Sequence, residues 1–242
     1  MTTRTCTSAA SAIALSLLFA LAAPPAGAQA VTLAPARTTG QAGLVDIRSL
    51  VPGIALDIRY AGSNNFTARP VPGYEAAKCF LLRPAATALA KVEADLRARG
   101  YGLQLFDCYR PAQSVRAFVA WVHDPQEQSR KALQYPGLEK SALLGDYIAE
   151  TSGHSRGATV DLGLLDCRSD PCTPVDMGTG FDFFGPRAHT DAPDISAVQR
   201  RNRQTLLQAM QRRGFANYPQ EWWHYTLTPE PSPTTAYDVP VR

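Results

Sequence analysis

The sequence predicts a single α+β domain in which a small central antiparallel sheet is flanked by helices. Segments with the 3.6-residue period of a helix and segments with the alternation of a strand are mixed along the chain. They do not follow the regular strand–helix–strand order of a parallel sheet, which favours the α+β class. The 242 residues contain no internal repeat and no linker-like stretch, so their length suits one sizeable core.

Three segments have the pattern of helices. In the first, 84–99, apolar residues recur at helical spacing, Pro84 suits the first turn, and Gly100 suits the position after the last turn. The second predicted helix spans 111–123 and the third spans 195–213.

Four segments have the pattern of strands. The stretch 44–60 alternates apolar and polar residues in places and is predicted to be extended. Short apolar runs predict strands over 102–107 and 158–165, and an aromatic segment predicts a final strand over 222–227. The Pro- and Thr-rich tail beyond this strand is expected to pack on the surface.

The composition is that of an ordinary globular protein, with 45% hydrophobic and 19% charged residues. The formal net charge is only +3, and the chain has no block of Lys and Arg residues. We therefore expect no nucleic-acid partner.

The first thirty residues have the layout of a cleaved secretory signal peptide. Arg4 supplies a basic start, the stretch 9–23 consists almost entirely of Ala, Leu, Ile and Ser, and Ala28 and Ala30 each end an A-x-A cleavage site. A retained membrane anchor is the alternative, but the apolar stretch is short for a membrane span. The sequence thus predicts a signal peptide over 1–30 and an exported domain over 31–242, periplasmic or secreted, without a stable membrane anchor after cleavage.

Four cysteines follow the predicted signal, and an even number in an exported chain indicates disulfides. Cys167 and Cys172 flank a polar turn and are expected to form a short clip, which leaves Cys79 to pair with Cys108. A four-cysteine zinc site is the alternative, although the spacing lacks the paired C-x2-C knuckles of such sites.

A histidine and an aspartate form the first candidate metal-binding segment. His154 lies in a turn rich in Ser and Gly, and Asp161 lies in an apolar strand where its carboxylate would be buried. Burial of a charge is costly unless the charge is paired or bound to a metal ion, and zinc accepts both imidazole and carboxylate ligands. Gly157 would let the turn fold back so that the two side chains converge. The alternative is an aspartate that caps a turn beside a surface histidine.

A second segment supplies a third candidate ligand, His224, with Glu221 one turn before it. Three protein ligands with an open fourth position are typical of catalytic zinc, and Glu221 would then reach a water molecule at that position. A buried histidine in an aromatic core strand is the alternative. His123 and His189 are expected to be surface or loop residues without a chemical role.

Together the two segments resemble a known family. The pattern S-x-H-x-x-G-x-x-x-D over 152–161, followed by E-x-W-H over 221–224, is similar to that of zinc peptidases of the D-Ala-D-Ala metallopeptidase superfamily, peptidase family M15. The similarity is closer to the VanX-type D-alanyl-D-alanine dipeptidases, because further motifs such as D-x-Y-R-P over 107–111 occur in the same order from Val45 onward. Cys108 stands within that motif where the family leads us to expect glycine.

The resemblance implies a catalytic zinc on the sheet, one Zn²⁺ per chain, bound by His154, Asp161 and His224. It also implies that Glu221 acts as general base and acid and that Arg110 stabilises the oxyanion. A structural salt bridge of Arg110 with Asp107 is the alternative for that residue.

The resemblance further implies a substrate site for the small molecule D-Ala-D-Ala or a short D,D-peptide. Asp182 would recognise the free ammonium group, while Ser152 and Tyr74 would line the dipeptide pocket; a simple loop carboxylate is the alternative for Asp182. Three other functions stay open: a zinc D,D-carboxypeptidase acting on peptidoglycan stem peptides, a non-catalytic zinc-containing module that binds cell-wall peptides, and a disulfide-rich extracellular interaction protein without metal.

Overall fold

The computed structural model describes residues 1–3 and 30–242. The predicted signal peptide therefore lies almost entirely outside the described residues. Among those that are described, no helix combines the length and the apolar character needed to cross a bilayer.

The described residues form ten strands and four α-helices. The strands are β1 Thr32–Leu33, β2 Leu44–Asp46, β3 Ala55–Leu56, β4 Phe80–Leu82, β5 Tyr101–Asp107, β6 Thr159–Asp166, β7 Thr173–Pro174, β8 Phe215–Asn217, β9 His224–Leu227 and β10 Thr235–Ala236. The helices are α1 Arg83–Arg97, α2 Ala112–His123, α3 Lys131–Gln134 and α4 Ala197–Gln211.

A central sheet has the order β3-β5-β6-β9-β8, and the short β7 also pairs with β6. Its pairs are antiparallel except for β3 and β5, which run parallel. Two small pairs lie outside it, β2 with β4 and β1 with β10. The predicted mixed, single-domain class is confirmed, and the sheet is antiparallel apart from one edge.

Strand β6 forms the middle of the core, and both of its faces are buried. All of its residues from Thr159 to Leu165 are buried. Helices α1 and α4 pack against each other and against the sheet. The apolar side chains of α1 that the spacing predicted to face the core are indeed buried there: Ala85, Leu89, Val92 and Leu96.

The three predicted helices correspond to α1, α2 and α4, each shifted by no more than a few residues at its ends. The predicted extended stretch over 44–60 is wrong. Only β2 and β3 are strands within it, and 3-10 turns occupy Ile47–Ser49 and Arg59–Ala61.

The alternation over 54–60 reflects burial rather than a strand. Ile54, Ile58 and Tyr60 are buried and the residues between them are not, although only Ala55 and Leu56 pair with β5. An irregular segment at the edge of a sheet can satisfy the same apolar pattern as a strand.

The C-terminal tail is integrated into the fold, contrary to the expectation that it packs on the surface. Val239 and Val241 are buried. The amide of Val239 donates to the hydroxyl of Tyr109 at 2.8 Å, and the amide of Val241 donates to the carbonyl of Gly73 at 2.8 Å. These contacts hold the tail against the segment that follows β5 and against the loop that precedes β4.

The four described cysteines lie in two pairs at disulfide distance, Cys79 with Cys108 and Cys167 with Cys172. Their Cα atoms are 5.3 Å and 4.3 Å apart, respectively. This is the pairing that the sequence predicts.

Candidate metal centre and active site

Strand pairing and one tight turn bring the three candidate ligands together. Asp161 in β6 lies directly opposite His224, the first residue of β9, in the antiparallel register. His154 lies in the 3-10 turn that precedes β6, and the turn ends at Gly157, whose φ of 75° is in the left-handed region. A glycine adopts this conformation at little cost, so the chain turns back and His154 reaches the other two.

The ligand atoms of these three residues all lie within 4.8 Å of one another. His154 Nε2 is 3.2 Å from Asp161 Oδ2, His224 Nδ1 is 3.0 Å from Asp161 Oδ1, and the two imidazole nitrogens are 3.3 Å apart. His154 and Asp161 are buried, whereas His224 is half-buried at the cavity.

A backbone contact fixes the orientation of the His154 ring. Its Nδ1 lies 2.7 Å from the carbonyl oxygen of Cys108, so Nδ1 carries the hydrogen and donates it. The lone pair of Nε2 consequently points toward Asp161, which is the arrangement of a metal-ligating histidine with a carbonyl partner. Although burial acts in the opposite direction, the imidazoles of His154 and His224 hold the pKa of Asp161 well below its usual value.

Glu221 lies in the turn before β9 with its carboxylate 3.5 Å from His224 Nδ1. The amide of Glu221 donates to the carbonyl of Tyr218, and Asn217 Nδ2 donates to the carbonyl of Glu221, so the backbone of Glu221 is held on both sides. Burial is the main reason that the pKa of Glu221 rises to about 7; the charge of Asp161 acts in the same direction, while His224 and Arg110 partly offset the rise. A carboxyl group with a pKa near neutrality can accept and return a proton.

Arg110 is held from two sides and still faces the cavity. Its Nε and Nη2 both lie 2.9 Å from Asp107 Oδ2, and Nη2 is 3.5 Å from Asp161 Oδ2. Its guanidinium carbon lies 5.2 Å and 5.1 Å from the ring centres of Tyr60 and Phe118. The salt bridge with Asp107 that was the alternative therefore exists, and it orients a guanidinium that lines the cavity.

Asp182 is a buried carboxylate with one oxygen in use. The hydroxyl of Tyr60 donates to its Oδ1 at 3.0 Å, whereas Oδ2 is buried without a hydrogen-bond partner among the described residues. Burial, followed by the nearby charge of Asp161, raises the pKa of Asp182 well above its usual value. Its φ of 61° is unusual for a residue other than glycine.

The remaining two predicted pocket residues differ in their positions. Ser152 lines the cavity, and its Oγ accepts a hydrogen bond from the amide of His154 at 3.2 Å. Tyr74 is not among the lining residues; it is buried, and its hydroxyl donates to Asp107 Oδ1 at 2.5 Å. Tyr60 lines the cavity, and the role of Tyr74 in the dipeptide pocket stays a prediction.

A cavity of about 200 Å³ joins these groups. Its polar walls include Tyr60, Arg110, Asp161, Asp182, Glu221 and His224. A space of this size suits a small ligand.

The sequence reasoning gave no site role to Asp107 or Tyr60. Asp107 ends an apolar strand and has zero exposure, so the cost of burying its charge was as clear a signal as it was for Asp161. Tyr60 lay inside the stretch wrongly predicted to be extended, and its hydroxyl partner could not be inferred from local spacing.

Two converging imidazoles, a buried carboxylate and a neighbouring glutamate beside a cavity are typical of the class of metal-dependent hydrolases. A family model described as D-ala-D-ala dipeptidase, Peptidase M15, matches residues 40–242. The chain therefore belongs to the D-ala-D-ala dipeptidase family of metallopeptidases, and the resemblance inferred from the motifs is confirmed.

Relatives from several bacteria agree with this membership. The D-alanyl-D-alanine dipeptidase of Streptomyces coelicolor is 40% identical over 204 residues, which cover 84% of this chain and 99% of the relative. The enzyme of the same name from Enterococcus faecium is 37% identical and covers 83% and 98%. That of Escherichia coli is 32% identical and covers 76% and 84%.

One similar solved structure is a mutant of the vancomycin resistance D,D-pentapeptidase VanY from a VanB-type resistance cassette, in complex with Zn(II). It is 17% identical, covers 62% of this chain and 73% of that chain, and has a TM-score of 0.38. A likeness of this strength supports no inference about the site.

Proposed function

We propose that this chain is a zinc-dependent dipeptidase that hydrolyses D-alanyl-D-alanine, a cell-wall dipeptide, to free D-alanine. The observation that carries the proposal is the convergence of His154, Asp161 and His224 next to Glu221, in a cavity that also holds the unpartnered oxygen of Asp182. Two relatives that align with this chain over nearly their full length are named D-alanyl-D-alanine dipeptidase, and this name suggests the substrate.

The three ligand residues fit one zinc ion per chain. Asp161 Oδ1 is buried without a well-formed hydrogen bond, although His224 Nδ1 lies 3.0 Å away. The buried carboxylate of Asp161 lies beside two imidazole nitrogens, and burial of its charge is costly unless a positive charge is bound. Two histidines and one aspartate match the ligand types of catalytic zinc and leave a coordination position free.

Glu221 moves the protons in the proposed reaction. A zinc ion at this site supplies Lewis acidity, which acidifies water and polarises the peptide carbonyl. The Glu221 carboxylate takes one proton from the attacking water as the water oxygen bonds to the carbonyl carbon. The same carboxyl then gives that proton to the amine as the carbon–nitrogen bond breaks, so that two D-alanine molecules leave.

Arg110 faces the negative charge that develops on the carbonyl oxygen. Asp107 and the rings of Tyr60 and Phe118 hold the guanidinium before the substrate arrives, so little reorganisation is needed during the reaction. Because Arg110 Nη2 also lies 3.5 Å from Asp161, its charge is directed at the metal side of the cavity.

Asp182 supplies the recognition of a free N-terminus. Its Oδ2 is a buried acceptor without a partner, and a substrate ammonium would satisfy it. Ser152 and Tyr60 complete the walls of the dipeptide pocket. A peptide with a blocked amino group would leave Asp182 unpaired and is expected to be a poor substrate.

The test compares free D-alanyl-D-alanine with its N-acetylated form on the purified protein. We expect D-alanine release from the free dipeptide and little from the blocked one. Equal or faster turnover of the blocked peptide would instead support a D,D-carboxypeptidase that trims stem peptides. Absence of zinc from protein purified without chelators would refute both.

We also propose that the mature domain spans 31–242 and is exported to the periplasm or secreted. The basic start, apolar stretch and A-x-A sites of residues 1–30 support this assignment, as do the two cysteine pairs at disulfide distance. N-terminal sequencing of the protein recovered outside the cytoplasm tests it; recovery of an intact first residue would contradict it.

A further inference from the structure

His154 and the segment 108–110 hold each other through two hydrogen bonds. The Nδ1 of His154 donates to the carbonyl of Cys108 at 2.7 Å, and the amide of Arg110 donates to the carbonyl of His154 at 3.3 Å. The orientation of the His154 ring thus depends on where the backbone of Cys108 lies.

The sheet itself does not fix that backbone position. The pairing of β5 with β6 ends at Asp107 opposite Asp161, and the register shifts between Leu105 and Asp107. Cys108 follows directly, at the point where the chain leaves the sheet and turns toward α2. A carbonyl at the end of an irregular ladder needs another restraint if it is to orient a side chain within a few tenths of an ångström.

The restraint is the pairing of Cys108 with Cys79. Both residues are buried, and Cys79 immediately precedes β4. The carbonyl of Cys79 accepts from the amide of Ile47 at 2.9 Å, and the amide of Tyr109 donates to the carbonyl of Phe80 at 2.9 Å. A bond between the two sulfur atoms ties the end of β5 to the small β2–β4 sheet.

We propose that the Cys79–Cys108 disulfide is a positioning cross-link for the metal centre: it fixes the carbonyl that orients His154. The inference rests on the proposed function, because it takes His154 to be a zinc ligand. Partners that orient a metal-ligating histidine typically change metal affinity about 10- to 100-fold when they are lost. The Cys108 carbonyl belongs to the backbone, so no side-chain substitution removes it. Substitution of the two cysteines instead removes the cross-link that holds this carbonyl in place.

The second cysteine pair provides a matched control. Cys167 and Cys172 lie beyond the far end of β6, where the amide of Cys167 donates to the carbonyl of Gly100. That end of the β5–β6 ladder is opposite to the end that carries Asp161. Removal of this pair also deletes a disulfide but leaves the surroundings of His154 unchanged.

The experiment measures zinc affinity by competition with a chromophoric chelator, on oxidised protein and at a temperature well below unfolding. In Cys79→Ala/Cys108→Ala we expect the zinc dissociation constant to rise about 10- to 100-fold, whereas Cys167→Ala/Cys172→Ala keeps the wild-type value. If the Cys79 and Cys108 variant does not fold, Cys79→Val/Cys108→Ala refills part of the space of the sulfur atoms and takes its place.

A third variant separates positioning from general loss of stability. Leu96→Ala removes a fully buried side chain of α1, near the end of the sheet remote from Asp161, and lowers the unfolding temperature without touching the site. Unchanged zinc affinity in Leu96→Ala, with weakened affinity in the Cys79 and Cys108 variant, supports the proposal. Equal zinc affinity in the wild type and the Cys79 and Cys108 variant overturns it, as does equal weakening in all three variants.

The wild-type measurement distinguishes this inference from the proposed function. Failure of the wild-type protein to bind zinc refutes the metal centre and the cross-link proposal together. Zinc binding by the wild type with no effect of the Cys79 and Cys108 substitutions leaves the dipeptidase proposal standing and refutes only the positioning role.

Discussion

Glu221 and Asp182 are both buried carboxylates, yet their surroundings suit them to different tasks. Glu221 lies beside His224, and burial brings its pKa to about 7, where it can exchange a proton. Asp182 accepts a hydrogen bond from Tyr60 with one oxygen, and its other oxygen has no hydrogen-bond partner among the described residues. Two carboxyl groups in different environments can therefore divide catalysis and recognition between them.

Replacement of the Glu221 carboxyl by an amide is expected to stop turnover without loss of metal. Glu221→Gln cannot accept the proton of water, so kcat should fall by about 10²- to 10⁴-fold. Zinc content, measured by atomic emission, should stay at the wild-type level because Glu221 is not one of the three ligands. The exposed Glu139, changed to Gln, serves as the control; near-normal kcat in Glu221→Gln would show that another group is the base.

Removal of the charge of Asp182 is expected to weaken binding of the free dipeptide. Asp182→Asn retains an acceptor for Tyr60 but loses the charge-assisted bond to an ammonium, worth about 1.5 to 3 kcal/mol, or roughly 10- to 150-fold in KM. Steady-state kinetics on D-alanyl-D-alanine measure the change. A wild-type KM in this variant would mean that the ammonium is recognised elsewhere.

The sequence predicted that His154, Asp161 and His224 converge, and the structure brings them together. The prediction was possible because a charged residue in an apolar strand and a glycine in a turn can both be recognised from a short stretch of sequence. Which of Tyr60 and Tyr74 lines the cavity could not be recognised from the sequence. Both tyrosines are buried, and only the packed structure reveals that Tyr74 bonds to Asp107 whereas Tyr60 reaches the cavity.

The turn between His154 and β6 depends on one glycine. A Cβ atom on Gly157 would lie 2.8 Å from Leu44 Cδ2 and 3.2 Å from Leu82 Cγ, and its φ of 75° disfavours other residues. Gly157→Ala should lower the free energy of unfolding by about 1 to 3 kcal/mol and should weaken zinc binding, because the turn sets the position of His154.

Chemical denaturation and zinc titration measure the two effects of Gly157→Ala. Gly137→Ala is the matched control, since a Cβ atom there would contact nothing within 4 Å and the φ is not in the left-handed region. If Gly157→Ala is as stable as Gly137→Ala, the turn tolerates another conformation and the explanation for the approach of His154 is incorrect.

Elements with strong local signals were predicted well. The start of α1 at Arg83 and the end of α4 at Gln211 agree with the proline and glycine positions that the sequence offered. The stretch 44–60 failed because its apolar residues satisfy burial at the edge of the sheet, while its backbone turns twice. Periodicity reports which side chains are buried and does not report whether the backbone between them is hydrogen-bonded to a neighbour.

At the scale of the whole molecule, zinc should contribute to stability as well as to catalysis. A ligand that binds only the folded state stabilises it by about 4 kcal/mol at a free concentration 1,000 times its dissociation constant. Chelation should therefore abolish dipeptide hydrolysis and lower the unfolding temperature, and added zinc should restore both. Calorimetry of apo and reloaded protein measures the shift; identical unfolding temperatures would argue against a metal bound by Asp161 in the core.

The mixed single-domain fold could be predicted from the order of its elements, but the packing of the C-terminal tail against the rest of the domain could not. Contacts of the tail with Gly73 and Tyr109 join residues that are far apart in the sequence and share no motif. Rich Pro and Thr content indicates a loop-like segment and carries no information on what that segment packs against.

The C-terminal tail also contacts the turn that carries His154. The amide of Tyr237 donates to the carbonyl of Ser155, and Asp238 accepts from the amide of Gln113 in the first turn of α2. Deletion of the residues from Tyr237 onward would remove both contacts, although none of the deleted residues is a candidate metal ligand. A truncated protein can therefore lose the order of its site while it keeps every side chain from which the site is built.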